Sequence, residues 1–231
     1  MITESSRSAE QIADDKRKVI FYFDTISPYA WLASKELARI QAAGLQVECQ
    51  PILFAALLNA NGQKGPAEIP AKRANFFRDV MRMAARKGHA FAGAPHHPYN
   101  PLKALRLCIA VDDIEARNCL SVALLAATWE YGQDLNDAAV LQRMVEECGL
   151  AHLDLVAQID RPEIKEKLNL ATLAAIDAQI FGVPSFVLNG EIFWGCDRVD
   201  DLLWYHAGNR IDQAVLEDCL ARPSSAQRKQ S

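Results

Sequence analysis

"VIFYFDTISPYAWLA", residues 19–33, decides how the chain is read. Val19 to Phe23 is a short apolar run rich in β-branched and aromatic residues, the pattern of a buried strand. Ser27 is a good N-cap, and Pro28 suits the first helical position, where its missing N–H is no loss. Tyr29, Leu32, Ala33, Leu37 and Ile40 then hold one helix face, and Gly44 supplies the stop. Beyond it, "LQVECQPI" turns Leu45, Val47 and Cys49 inward, which predicts a second strand. A helix joining two such strands makes a βαβ unit with a parallel pair. The strand–helix junction therefore carries a hydroxyl, where α/β folds often place their chemistry.

From about Pro66 to Ile180 the pattern is helical. Phe76, Phe77, Val80, Met81 and Ala84 recur at helical spacing, and further helices are expected at 101–112, 116–131, 137–148 and 162–180. Arg73, Arg78, Arg82 and Arg86 on the first of these read as a solvated basic face. Strands return in "PSFVLNGEIFWG", where Asn189-Gly190 between apolar runs marks a hairpin. "DRVDDLLWYHAGN" closes the chain's pattern as a helix with Asp197 at its N-cap and Asp200 three residues on. This order gives an α/β, thioredoxin-like fold: a mixed sheet built from β-α-β and then β-hairpin-α, with an inserted all-helical domain. The expected division is 19–64 and 181–221 for the thioredoxin-like part and 65–180 for the insertion. Polar tails at 1–18 and 222–231 are expected to be flexible.

The 231 residues, half of them hydrophobic, suit one domain of ordinary size or a small one with an insertion. A net charge of -4 argues against a general nucleic-acid binder. No apolar run approaches the roughly 20 residues of a membrane span, and the first 18 residues lack the apolar middle of a secretory signal. Six cysteines, at 49, 108, 119, 148, 196 and 219, show neither C-x-x-C nor zinc-like spacing. They read as reduced, mostly buried thiols, without a disulfide framework, in a cytoplasmic protein. Adjacent His96 and His97 point apart and lack a third ligand, so no metal is expected.

Four blocks in order, "FYFDTISPYAWLA", "GQKGPAEIPAKR", "YNPLKALRL" and "FGVPSFVLNGEIFWGCDRVDDL", carry a resemblance over nearly all of 19–205. The chain resembles the DsbA-like branch of the thioredoxin superfamily. Within it, the closer resemblance is to the 2-hydroxychromene-2-carboxylate isomerases and the related kappa-class glutathione transferases. Redox members of the branch start the first helix at a C-x-x-C. Here those positions read Ser27-Pro28-Tyr29-Ala30, so no protein thiolate is available there for disulfide exchange.

The resemblance implies glutathione as cofactor, its sulfur held at Ser27. A hydroxyl there donates to a thiolate, and the first-turn N–H groups and helix dipole add positive potential. Pro184 is then cis, and Val183 offers backbone N–H and C=O to the tripeptide. The segment Trp194-Gly195-Cys196-Asp197-Arg198 meets the γ-glutamyl end, Asp197 taking the α-ammonium and Arg198 a carboxylate. Cys196 stands where relatives often carry a polar residue. Lys72, with Lys64 behind it, corresponds to contacts with the glycine end. Tyr99 and Asn100 fall in the aromatic substrate's pocket, where Tyr99 can stack and offer its hydroxyl.

The activity implied is cis–trans isomerisation of 2-hydroxychromene-2-carboxylate-type compounds to trans-o-hydroxybenzylidenepyruvate, in breakdown of naphthalene-like aromatics. The glutathione thiolate adds as the pyran ring opens, the bond rotates, and elimination gives product. Family members are commonly dimers, so a homodimer is implied. Two other readings stay open: a kappa-type transferase sharing the site, and a non-catalytic thioredoxin-fold binding module. On local residues alone, Ser27 and Asp197 serve equally as plain helix caps.

Overall fold

A computed structural model describes residues 17–226. Residues 1–16 and 227–231 of the two expected tails lie outside the described residues. The first strand, β1, runs Lys18–Phe23 and so begins one residue inside the expected N-terminal tail. The helix after it is not continuous: α1 (Pro28–Ser34) and α2 (Leu37–Ala42) are separated at Lys35 and Glu36. Ser34 Oγ donates to the Trp31 carbonyl at 2.7 Å, a side-chain bond that competes with the helical ladder at the break. Lys35 and Glu36 then turn outward to Glu130 and Lys87.

Strand β2 (Gln46–Pro51) pairs parallel to β1, as the βαβ reading requires. Strands β3 (Ser185–Leu188) and β4 (Glu191–Trp194) form the expected hairpin. Its turn residues, Asn189 and Gly190, both have positive φ (52° and 83°), which matches a turn twisted like the strands it joins. The order across the sheet is β2-β1-β3-β4, and β1 and β3 are antiparallel. The sheet is therefore mixed.

Eight of the helices follow β2 and surround this sheet. They are α3 (Phe54–Ala60), α4 (Pro70–Arg86), α5 (Leu102–Ile109), α6 (Ile114–Trp129), α7 (Ala138–Glu147), α8 (Leu155–Gln158), α9 (Pro162–Asp177) and α10 (Val199–His206). A last helix, α11 (Gln213–Ala221), follows. Helices α3, α8 and α11 are additions to the sequence reading. Arg73, Arg78, Arg82 and Arg86 of α4 are all exposed, while Phe76, Val80 and Ala84 face inward.

One sheet face carries Val19, Phe21, Phe23, Phe186 and Leu188, and Phe21 stacks on Phe186 across the strand pair at 4.9 Å. Trp31, Leu32 and Ile40 cover it, and the same buried cluster runs on into Leu120, Leu124 and Trp129 of α6. The helices of 65–180 thus share a core with the sheet. The other face, with Tyr22, Val187 and Ile192, packs on Ile52, Leu57, Ala175 and Ile180. The free edge at β2 is closed by α6. Asn118 pairs with both Cys49 N and Val47 O at 2.7 Å, and buried Arg117 donates to Cys49 O and Glu48. Side chains here complete a ladder that an edge strand otherwise leaves open to another chain. Among the described residues, no helix is long and apolar enough to cross a membrane.

Candidate active site

Ser27 is buried at the N-cap of α1, and its Oγ accepts the Ala30 N–H at 3.2 Å. Its own hydroxyl proton goes to no acceptor among the described residues, and Ser27 lines a cleft of about 1360 Å³. A capping serine thus keeps a donor free toward open space.

The turn that presents it, Asp24 to Ser27, is braced on every side. Asp24 is fully buried, and its carboxyl accepts the Ile26 N–H at 3.0 Å and the Phe54 N–H at 2.9 Å. Burial pushes this carboxyl up to about 7, against the pull of those two donors. The Thr25 carbonyl accepts the Tyr99 hydroxyl at 2.6 Å and Trp129 Nε1 at 2.8 Å. His97 Nε2 lies 3.2 Å from the Ile26 carbonyl, and the ring stacks on Phe76 and meets Trp129 edge-on. Burial lowers the imidazole pKa, the bond to Ile26 opposes this, and Arg73 adds to it. The neutral ring then donates from Nε2, leaving Nδ1 buried and without a partner among the described residues.

The opposite wall comes from the loop before β3 and the segment after β4. Val183–Pro184 is a cis peptide, and Val183 N–H and C=O bond to no other backbone group among the described residues. Gly182 is dictated by contact: a Cβ there would lie 2.6 Å from Trp194 Nε1. Gly195 has φ 125°, and a Cβ on it would meet Asp197 Oδ1 at 2.6 Å. Arg198 bonds Asp197 at 2.9 Å and Asp201 at 3.0 Å, all three exposed. Cys196 is buried, and burial pushes its thiol up to about 12.

Ser27, Lys64, Lys72, Tyr99, Val183, Pro184, Trp194, Gly195, Cys196, Asp197 and Arg198 all line this one cleft. Lys64 and Lys72 are exposed and form no ion pair among the described residues. Three expectations need correction. Asp197 is not the cap of α10; Arg198 holds that position without a side-chain bond, and the Asp197 carboxylate turns to Arg198 instead. Asn100 does not line the cleft, because its Oδ1 accepts the Leu102 N–H at the lead-in to α5. The Tyr99 hydroxyl is engaged by Thr25 and not held out to a ligand. Asp24, His97 and Trp129 were not singled out as site residues from sequence. Only Asp24 had a local signal, a carboxylate ending an apolar strand.

A tripeptide fits what these residues offer. Among the described residues Lys64 and Lys72 are cations without an ion pair, available to carboxylates, Asp197 can take an ammonium, and Val183 presents a peptide unit with no backbone partner. The cleft exceeds the roughly 300–1,000 Å³ of a usual single-ligand pocket, leaving room for a second molecule beside it.

A mixed sheet with a helix N-terminus facing a cis-proline loop defines a thioredoxin-type protein. The chain belongs to the DSBA-like thioredoxin domain family, whose model matches residues 18–205. It is 26% identical over 212 residues to glutathione S-transferase kappa 1 of Rattus norvegicus, covering 84% of this chain and 92% of that protein. It is 27% identical over 192 residues to 2-hydroxychromene-2-carboxylate isomerase of Sphingobium xenophagum, covering 82% and 97%. A solved structure of 2-hydroxychromene-2-carboxylate isomerase superposes with a TM-score of 0.77 at 22% identity, over 89% of this chain and all of that one.

Proposed function

We propose that the chain is a glutathione-dependent isomerase of the 2-hydroxychromene-2-carboxylate type, with Ser27 as its catalytic hydroxyl. One observation carries this reading: the cleft contains no thiol of its own fit to attack. Among the described residues Cys196 is the one cysteine lining it, and with burial raising its thiol to about 12 it is mostly protonated at neutral pH. Bound glutathione supplies the missing nucleophilic sulfur.

The protein's part is to place and charge that sulfur. Ser27 donates its free proton toward a thiolate, and the first-turn N–H groups of α1 add positive potential there. Val183 pairs with the tripeptide backbone, Asp197 and Arg198 hold its γ-glutamyl end, and Lys72 and Lys64 its glycine carboxylate. The apolar side of the cleft, Phe76 and Tyr29 with Pro98, suits an aromatic acid. A homodimer in the cytoplasm completes the proposal.

Calorimetric titration with glutathione, followed by the isomerase assay, tests it. Binding with turnover that disappears when thiols are removed is expected; turnover without any thiol would overturn it. The relatives of both names match over similar spans, which keeps a kappa-type transferase as the second reading. Conjugation of chlorodinitrobenzene at a rate above the isomerisation would favour it. Intact structure with no glutathione binding would favour the non-catalytic binding module.

A further inference from the structure

Cys119 lies on the solvent side of α6, and Cys148 is the C-cap residue of α7. Separated by 29 positions in sequence, their sulfurs lie 2.6 Å apart, well inside the contact distance of two unbonded sulfurs. Two packed helices hold the contact, so it does not depend on a loop finding its place. No other cysteine pair is so arranged among the described residues. Cys49, Cys108 and Cys196 are buried, and Cys219 is exposed on α11 without a sulfur partner.

We propose that Cys119 and Cys148 form a redox-responsive thiol pair, closed reversibly to an intramolecular disulfide by a low-molecular-weight disulfide such as oxidised glutathione. The proposal is independent of the cleft's chemistry. The Cys119 thiolate, exposed to solvent, attacks one sulfur of the oxidant; that S–S bond breaks and one small thiolate leaves. Cys148 then gives up its proton, attacks the Cys119 sulfur of the mixed disulfide and displaces the second small thiolate. The two protein thiols lose two electrons, the oxidant gains them, and both protons end on the released thiols. Cys119 is the more exposed of the two sulfurs and takes the first attack, while burial and the neighbouring sulfur raise the pKa of Cys148.

The bond ties α7 to the helix that carries Asn118 and Arg117, the two side chains closing the edge of β2, and Trp129, which braces Thr25. Cross-linking residues this far apart restricts the unfolded chain, so the closed form is the more heat-resistant one.

The test uses the full chain carrying Cys219→Ser, which removes the other exposed thiol. It is incubated with oxidised glutathione, then its free thiols are counted after denaturation and its peptides mapped by mass. Expected are the loss of two thiols, a peptide pair joining 119 to 148, no retained glutathione and a raised thermal midpoint, all reversed by dithiothreitol. In the Cys148→Ser chain the reaction should stop with glutathione on residue 119 and no rise in midpoint. Circular dichroism confirms that each chain is folded. Retained glutathione on Cys119 of the chain that keeps Cys148, a link between two chains, or a full thiol count in folded protein would each overturn the proposal.

Discussion

The two walls of the cleft are built by opposite means. The Asp24–Ser27 turn is buried and held by hydrogen bonds from Tyr99, Trp129, His97 and Phe54, which reach it from distant parts of the chain. The wall at 194–198 is mostly exposed, shaped by the contact needs of Gly182 and Gly195 and tied by ion pairs between neighbours in sequence. Buried hydrogen bonds cost dearly to break because the partner left behind cannot turn to water. Exposed ion pairs contribute little and are screened by salt. On the proposed function, the first wall would fix the reacting atom and the second would grip and release the charged end of the ligand.

The sharpest way to break this contrast is Ser27→Ala. Loss of one donor aimed at a developing or resident negative charge typically costs about 100-fold or more in turnover. The lost cap adds a stability loss of about 1 kcal/mol. Unchanged isomerase rates would remove Ser27 from the chemistry.

Asp24 makes the first wall sensitive to pH. Burial raises its carboxyl to about 7 in the folded protein, so folding strengthens proton binding there. The stability this contributes is whole below about pH 4, where the unfolded carboxyl also holds its proton, and is lost as pH rises through about 7. The loss amounts to a few kcal/mol at most. Denaturant midpoints of the wild type should therefore fall relative to those of Asp24→Asn between about pH 5 and pH 8. Parallel curves would mean that the carboxyl is ionised throughout.

Tyr99→Phe removes one of the two donors to the Thr25 carbonyl, and about 1 kcal/mol of stability should go with it in equilibrium unfolding. Turnover should fall less than in Ser27→Ala, since the hydroxyl braces the turn and does not touch ligand. The smallest effect belongs to Arg198→Ala on the other wall. Its thermal midpoint should match the wild type, while glutathione binding weakens at low salt and differs little at high salt. A clear loss of stability there would erase the distinction between the walls.

The same contrast separates what could be read in the sequence from what could not. The strand Val19–Phe23, the Ser27-Pro28 helix start and the Asn189-Gly190 turn are local patterns, and each appears where it was expected. The resemblance over four blocks gathered Ser27, Lys72, Val183 and Asp197, and one cleft does hold them. The break between α1 and α2 escaped because it depends on the Ser34 back-bond and on Glu130 and Lys87, far away in sequence. Asp197 missed its cap because Arg198 offered its carboxylate a nearer charge. His97 and Trp129 carry no motif; they matter only because α6 and the loop before α5 fold back over Thr25 and Ile26.

Gly182 has one consequence at the rim of the cleft. With no side chain at that position the Trp194 indole lies close over the backbone, yet 54% of the residue is open to solvent. Trp31 and Trp129 are buried, and Trp204, 46% exposed, does not line the cleft, so Trp194 is the exposed tryptophan at its mouth among the described residues. Trp194 is a native optical reporter: whatever docks beside the cis-proline dehydrates its ring, and occupancy becomes readable as fluorescence without a label.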